Sequence, residues 1–159
     1  RYNLVIDLIK ERKHCIVAFN WKHERDALIE QAEKEKLSYE VIDGSVPAEK
    51  RKDIVARFQA GQIRVLFCHP QSAGHGLTLT KATTAIWCSP TYNAEHFQQF
   101  NRRIHRASQT EKTETILIAA HKTWEEDVYA KLNGKLGKME NLLHILTGLQ
   151  NANENTRTT

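Results

Sequence analysis

Residues 101–109 read NRRIHRASQ, so Arg102, Arg103, His105 and Arg106 fall within five consecutive positions, directly after the aromatic-bearing HFQQF at 96–100. Guanidinium groups at fixed spacing suit one chemistry above others. Their planar forks match phosphate oxygens, and a transferring phosphoryl group spreads its charge over three equatorial oxygens that preorganised donors stabilise. A solvated basic helix face has the same composition, so spacing has to decide. At about 100° per residue, a helix over 97–107 places Phe97, Phe100, Ile104 and Ala107 on one apolar stripe. Gln99, Arg103 and Arg106 then form a polar stripe beside it, at i, i+4 and i+7. The arginines border the buried seam, where guanidinium groups are held rigidly with limited hydration.

Two further groups of residues suit phosphate. In SAGHGLTLT, at 72–80, Gly74 and Gly76 flank His75 and permit close backbone approach to a phosphate, and Thr78 offers a hydroxyl. An isolated G-x-G is also an ordinary turn. Lys22, Lys50 and Arg51 sit near expected helix N-termini, where backbone N–H groups and basic side chains together receive nucleic-acid phosphates or simply face solvent. Asn20 and Trp21 precede Lys22 in the same loop, and Trp21 either stacks on a base or sugar or packs on its own domain.

Helical and strand periodicities alternate along the chain. Residues 2–12 read as a helix and CIVAF, at 15–19, as a buried strand; a charged helix covers 22–36, and SYEVI, at 38–42, is the next strand. Pro47 suits the first turn of a helix running to Gln59, which Gly61 ends. IRVLFC (63–68), TTAIWC (83–88) and TETILIAA (113–120) supply three more strands, and Asn93 is placed to cap the arginine-bearing helix. Thr123 and Glu126 have capping-box spacing for a helix that follows, and a last helix is expected over about 139–149. Such alternation implies an α/β fold, a mainly parallel sheet flanked by helices in three layers. Ligands of these sheets meet the loops beyond the carboxyl ends of the strands, here 20–22, 69–80 and 89–93.

Composition narrows the function classes. One domain over 1–150 is expected, with 151–159 (NANENTRTT) a disordered tail lacking an apolar anchor. No apolar run approaches the roughly 20 residues of a membrane-spanning helix. Cys15, Cys68 and Cys88 are scattered in apolar runs, which suggests reduced buried thiols in an intracellular compartment. The eight histidines show no ligand spacing, so no metal is expected on this chain. Net charge is +4, which permits a polyanionic partner. The first strand-to-helix turn, Asn20-Trp21-Lys22, has no glycine fingerprint, which weighs against a dinucleotide enzyme.

SAGHGLTLTKA followed by SPTYNAEHFQQFNRRIHRASQ resembles motifs V and VI of the Swi/Snf family of superfamily 2 helicase-like ATPases, nearest the compact annealing-helicase branch. Gln99, Arg103, Arg106 and Gln109 fall on the motif VI pattern, and CIVAFNWKHERDAL resembles the motif IV strand and helix start. Asp43, Gly44, Arg51 and Phe58 are in register with the segment that follows motif IV. Ser108, Arg102 and Pro70 depart from the commonest residues, and no arginine is lost. The resemblance implies a RecA-like lobe of the P-loop NTPase type and the second motor lobe of a DNA translocase. Arg103 and Arg106 would act as arginine fingers, with Gly74, Gly76, Thr78 and Gln109 near nucleotide. Asn20, Trp21, Lys22, Lys50, Arg51 and His75 would lie near DNA. The chain has no Walker loop and no magnesium-holding carboxylate pair, so ATP and Mg2+ are expected to bind mainly to an N-terminal RecA-like lobe, leaving this lobe inactive alone. The partners implied are that lobe and double-stranded DNA, with no membrane, for a monomer. The location implied is DNA-associated, in a prokaryotic or infected-host cytoplasm or a nucleus. A catalytically silent docking module is the competing reading.

Overall fold

The computed structural model describes residues 1–72, 76–136 and 141–142. Elements follow in the order α1 (Tyr2–Lys10), β1 (Cys15–Ala18), α2 (Lys22–Lys34), β2 (Tyr39–Ile42), α3 (Ala48–Gln59), β3 (Val65–Cys68), β4 (Thr84–Trp87), α4 (Ala94–Asn101), β5 (Glu114–Leu117), α5 (Trp124–Leu136) and β6 (Asn141–Leu142). The strands form one sheet in the order β2-β3-β1-β4-β5-β6, and every pairing is parallel.

Alternate strand residues feed two cores, because successive side chains point to opposite faces. Ile16, Ala18, Leu66, Cys68, Ala85 and Trp87 face one side, where α3 adds Ile54 and Phe58, α4 adds Phe97 and Phe100, and α5 adds Tyr129 and Leu132. Cys15, Val17, Val65, Phe67 and Ile86 face the other, beneath Val5, Ile6 and Ile9 of α1 and Leu28 and Ala32 of α2. This is the expected three-layer α/β architecture. All three cysteines are free and buried.

The connections follow local chemistry. Arg64 closes the C-terminus of α1, its Nη2 donating to the carbonyls of Lys10 at 2.9 Å and Arg12 at 2.8 Å, a use of a cation where helix carbonyls lack partners. Gly61 ends the turn after α3 at φ +82°, a left-handed conformation that glycine adopts without a Cβ clash. Asn93 caps α4 by accepting the His96 N–H at 3.0 Å.

Two expected helices are corrected. The helix expected over 97–107 ends at Asn101. Past it the bonding tightens to i→i−3, the Arg103 N–H donating to the Phe100 carbonyl at 3.0 Å and the Ile104 N–H to the Asn101 carbonyl at 3.4 Å, while the Arg103 carbonyl accepts the N–H of Leu79 at 3.0 Å. The helix expected over 139–149 gives way, at Asn141–Leu142, to a short strand paired with Thr115 and Ile116. The rest of that span, and the tail over 151–159, lie outside the described residues.

Candidate functional site

The loops after β1, β3 and β4 meet at the carboxyl edge because those strands are neighbours. Glu24, only 2% exposed, ties two of these loops together. Its Oε1 accepts the N–H of Asn20 at 2.9 Å and of Trp21 at 3.2 Å, and the Ser89 hydroxyl at 2.9 Å. The Asn20 side-chain amide donates to the Ser89 carbonyl at 2.9 Å and Oγ at 3.0 Å. Sequence reasoning missed Glu24 and Ser89. The signal was the N-cap to N3 spacing from Trp21 to Glu24, obscured by a tryptophan where a small polar residue is usual.

Three large aromatics lie exposed along this edge: Trp21 (55%), Tyr92 (70%) and Trp124 (53%). Tyr92 and Trp124 stack on one another, centroids 5.7 Å apart and planes 10° from parallel. Lys22 and Lys50 are exposed, whereas half-buried Arg51 folds back to donate to the Val46 carbonyl at 3.2 Å. Nearby, Asp43 joins Arg25 at 2.8 Å. Burial alone would raise the Asp43 carboxyl, but the hydrogen bonds from Ser45 and Arg25 outweigh it and hold the group below the ordinary carboxylate range.

The arginine-bearing turn after α4 borders a cavity of about 370 Å³ lined by Gly76, Gln99, Arg102, Arg103, His105 and Arg106. No carboxylate is among those lining residues. Arg103 is 4% exposed, and Arg106 is half-buried with its Nε on the Arg102 carbonyl at 3.2 Å. Burial, and then the like charge of Arg106, pushes the Arg103 guanidinium down from its ordinary value; a guanidinium nonetheless stays protonated at physiological pH. The stripe drawn from sequence survives at Phe97, Phe100 and Ile104, all buried, but Ala107 is exposed. Of the residues singled out in sequence, Gly76, Gln99, Arg102, Arg103, His105 and Arg106 come together at this cavity. Thr78 is half-buried in the segment leading to Leu79. Gly74 and His75 lie outside the described residues.

Gln109 is elsewhere. Its Nε2 donates towards the carbonyls of Thr80 at 3.0 Å, Ala82 at 3.1 Å and Ile104 at 3.1 Å, while Oε1 accepts the Glu111 N–H at 3.1 Å. It lines a separate depression with Lys13, Lys81 and Lys112, beside the segments that enter β1, β4 and β5. Chemically, the arginine cavity can hold a polyanion through forked, rigid donors, and the carboxyl edge can meet a chain of phosphates with exposed lysines and aromatic faces.

Comparison with known proteins adds family relationships. Residues 1–108 match the helicase conserved C-terminal domain. The chain is 33% identical over 110 residues to the Bos taurus "DNA annealing helicase and endonuclease ZRANB3", covering 69% of this chain and 10% of that protein. It is 27% identical over 129 residues to the Drosophila melanogaster "SWI/SNF-related matrix-associated actin-dependent regulator of chromatin subfamily A-like protein 1", covering 80% of this chain and 17% of that protein. The chain thus spans a fifth or less of the curated relatives it matches. The crystal structure of the C-terminal part of the Fun30 ATPase domain superposes with a TM-score of 0.72 at 18% identity, over 81% of this chain and 42% of that one, which establishes the shared fold.

Proposed function

Because the chain belongs to the helicase conserved C-terminal domain family, as a RecA-like lobe of the Swi/Snf helicase-like ATPase type, we propose that it is the second motor lobe of an ATP-dependent DNA translocase. One observation carries this reading: three arginines and a histidine line a single cavity, and among its described lining residues there is no carboxylate. Such a site is short of negative charge, and the guanidinium of Arg103, pressed by burial and by Arg106, is stabilised by an incoming anion. The donors fit triphosphate oxygens rather than a metal ion. ATP is therefore assigned to the face shared with a first lobe, which also holds Mg2+; the bound nucleotide would supply the phosphoryl group whose transfer drives movement.

Each residue of this chain then has a definite task. Arg103, held rigid, orients a guanidinium towards the terminal phosphate, and the more exposed Arg106 meets the charge that builds on the equatorial oxygens. Gly76 leaves room for that approach, and Thr78 stands near it. At the carboxyl edge, Lys22 and Lys50 contact duplex phosphates without reading sequence, with Trp21 beside them. Gly74 and His75, which precede Gly76 in sequence, are assigned to the same nucleotide and DNA contacts. Relatives named for DNA annealing and chromatin support a DNA-associated, nuclear location; they give none to a cytoplasmic one.

The test is DNA-stimulated ATP hydrolysis by the protein carrying both lobes. Arg103→Ala and Arg106→Ala should each lower kcat by about a thousandfold or more, with this lobe still folded by circular dichroism. Undiminished turnover in both variants would remove the two arginines from the catalytic role, whereas a wild-type two-lobe protein without ATPase activity would leave a catalytically silent docking lobe.

A further inference from the structure

The arginines stand on an irregular turn, because α4 stops at Asn101. Short-range bonds hold its start, Arg102 N–H to the Gln98 carbonyl and Arg103 N–H to the Phe100 carbonyl, each at 3.0 Å, and bonds from outside α4 fasten the rest. The main-chain N–H of Leu79 donates to the Arg103 carbonyl at 3.0 Å, and the main-chain N–H of Gln109 to the Arg106 carbonyl at 2.9 Å. The Gln109 side chain takes the Ile104 carbonyl as well, and the same amide reaches across to the carbonyls of Thr80 and Ala82. Its orientation is unambiguous: carbonyls only accept, and the Glu111 N–H at Oε1 only donates. From the opposite side, Gln59 at the end of α3 donates to Thr80 Oγ1 at 3.1 Å and accepts the Lys81 N–H at 2.8 Å. Residues 79–82 are thereby held between two glutamines, and the arginine turn is fastened to them.

We propose that Gln59 and Gln109 are positioning residues for Arg103 and Arg106, clasping residues 79–82 against the arginine turn so that the two guanidinium groups keep their aim. Gln109 acts through backbone carbonyls rather than on nucleotide. The catalytic consequence rests on the phosphate-binding reading of the arginines; the clasp itself does not.

The chemistry of the two glutamines differs in a way that makes the idea testable. A glutamate at 59 still accepts the Lys81 N–H, and the Thr80 hydroxyl can turn to donate to it. A glutamate at 109 faces three carbonyls that cannot donate, so acceptor meets acceptor. Gln59→Glu should therefore behave as wild type, whereas Gln59→Leu and Gln109→Glu should loosen the turn. Two readouts are needed. In this chain alone, amide hydrogen exchange at Leu79 should accelerate by about tenfold or more in the two loosened variants and stay unchanged in Gln59→Glu. In the two-lobe protein, kcat should fall roughly ten- to a hundredfold in the loosened variants with the KM for ATP within about twofold, since displacement of catalytic groups costs turnover more than binding. If Gln109→Glu fails to fold, the Gln59 pair decides. Equal behaviour of Gln59→Leu and Gln59→Glu, or unchanged Leu79 exchange in folded Gln109→Glu, would overturn the clasp. A wild-type two-lobe protein without ATPase activity would instead remove the phosphate reading, and the exchange measurement would still decide the clasp.

Discussion

The main-chain N–H of Leu79 donates to the carbonyl of Arg103 across 3.0 Å, joining the loop that leaves β3 to the turn that follows α4. This bond ties the Arg103 backbone to that loop just past the end of α4. It also makes Arg103 sensitive to changes in residues that never touch the cavity. Arg103→Lys keeps the charge but loses the fork, so steady-state assay of the two-lobe protein should find kcat reduced by about a hundredfold or more with little change in KM.

Trp87 is fully buried against Phe97 and Phe100, at centroid distances of 4.9 and 5.0 Å, and its indole N–H donates to Asn101 Oδ1 at 2.9 Å. Asn101→Leu leaves that N–H buried without an acceptor. Urea denaturation of this chain should show a loss of about 1–3 kcal/mol, and Trp87→Ala a larger loss of about 3–5 kcal/mol.

Gly61 combines φ +82° with the Lys81 side chain, whose Cε would lie 3.3 Å from an added Cβ. Gly61→Ala should lower stability by about 1–2 kcal/mol, and Gly61→Asn by less because asparagine tolerates the left-handed region. Thermal melts of the three proteins side by side check the ordering.

The carboxyl group of Asp43 is held below the ordinary range by Ser45 and Arg25 against the opposing effect of burial. A depressed carboxyl adds stability above its unfolded value, and that stability is lost as pH falls through the folded one. Melting temperatures from pH 7 down to pH 3 should therefore show wild type more stable than Asp43→Asn at neutral pH, with the gap closing below about pH 4.

DNA binding separates basic residues that sequence treated alike. Lys22 and Lys50 are exposed, while the Arg51 guanidinium is engaged with the Val46 carbonyl. Lys22→Ala and Lys50→Ala should each reduce the slope of log affinity against log salt by about one, and Arg51→Ala by distinctly less. Fluorescence anisotropy with a labelled duplex across a salt series reads this directly.

The fold was legible because its strands are short apolar runs bounded by turn residues, and burial on both faces makes such runs stand out: CIVA, VLFC and TAIW are buried at every position. The arginines were legible from residue type and spacing. What spacing could not reveal was the end of the helix at Asn101, where the bonding tightens to i→i−3 and the Arg103 carbonyl turns to Leu79, far away in the chain, although the apolar periodicity continues through Ile104. For the same reason, Gln109 looks like a ligand in sequence and proves to be engaged with backbone carbonyls. Ser89 and Gln59 carry no motif, and Glu24 carries only the capping spacing that Trp21 obscures; what joins these residues to the site is partners distant in the chain.

The most direct measurement of the phosphate site is the affinity of the two-lobe protein for Mg-ADP-tetrafluoroaluminate, which imitates the transferring phosphoryl group, set beside its affinity for Mg-ADP. If the cavity of Arg102, Arg103 and Arg106 receives that group, Arg103→Ala and Arg106→Ala will weaken the aluminate complex by about a hundredfold or more while leaving ADP nearly unchanged. Equal affinity of wild type and both variants for the aluminate complex would contradict it.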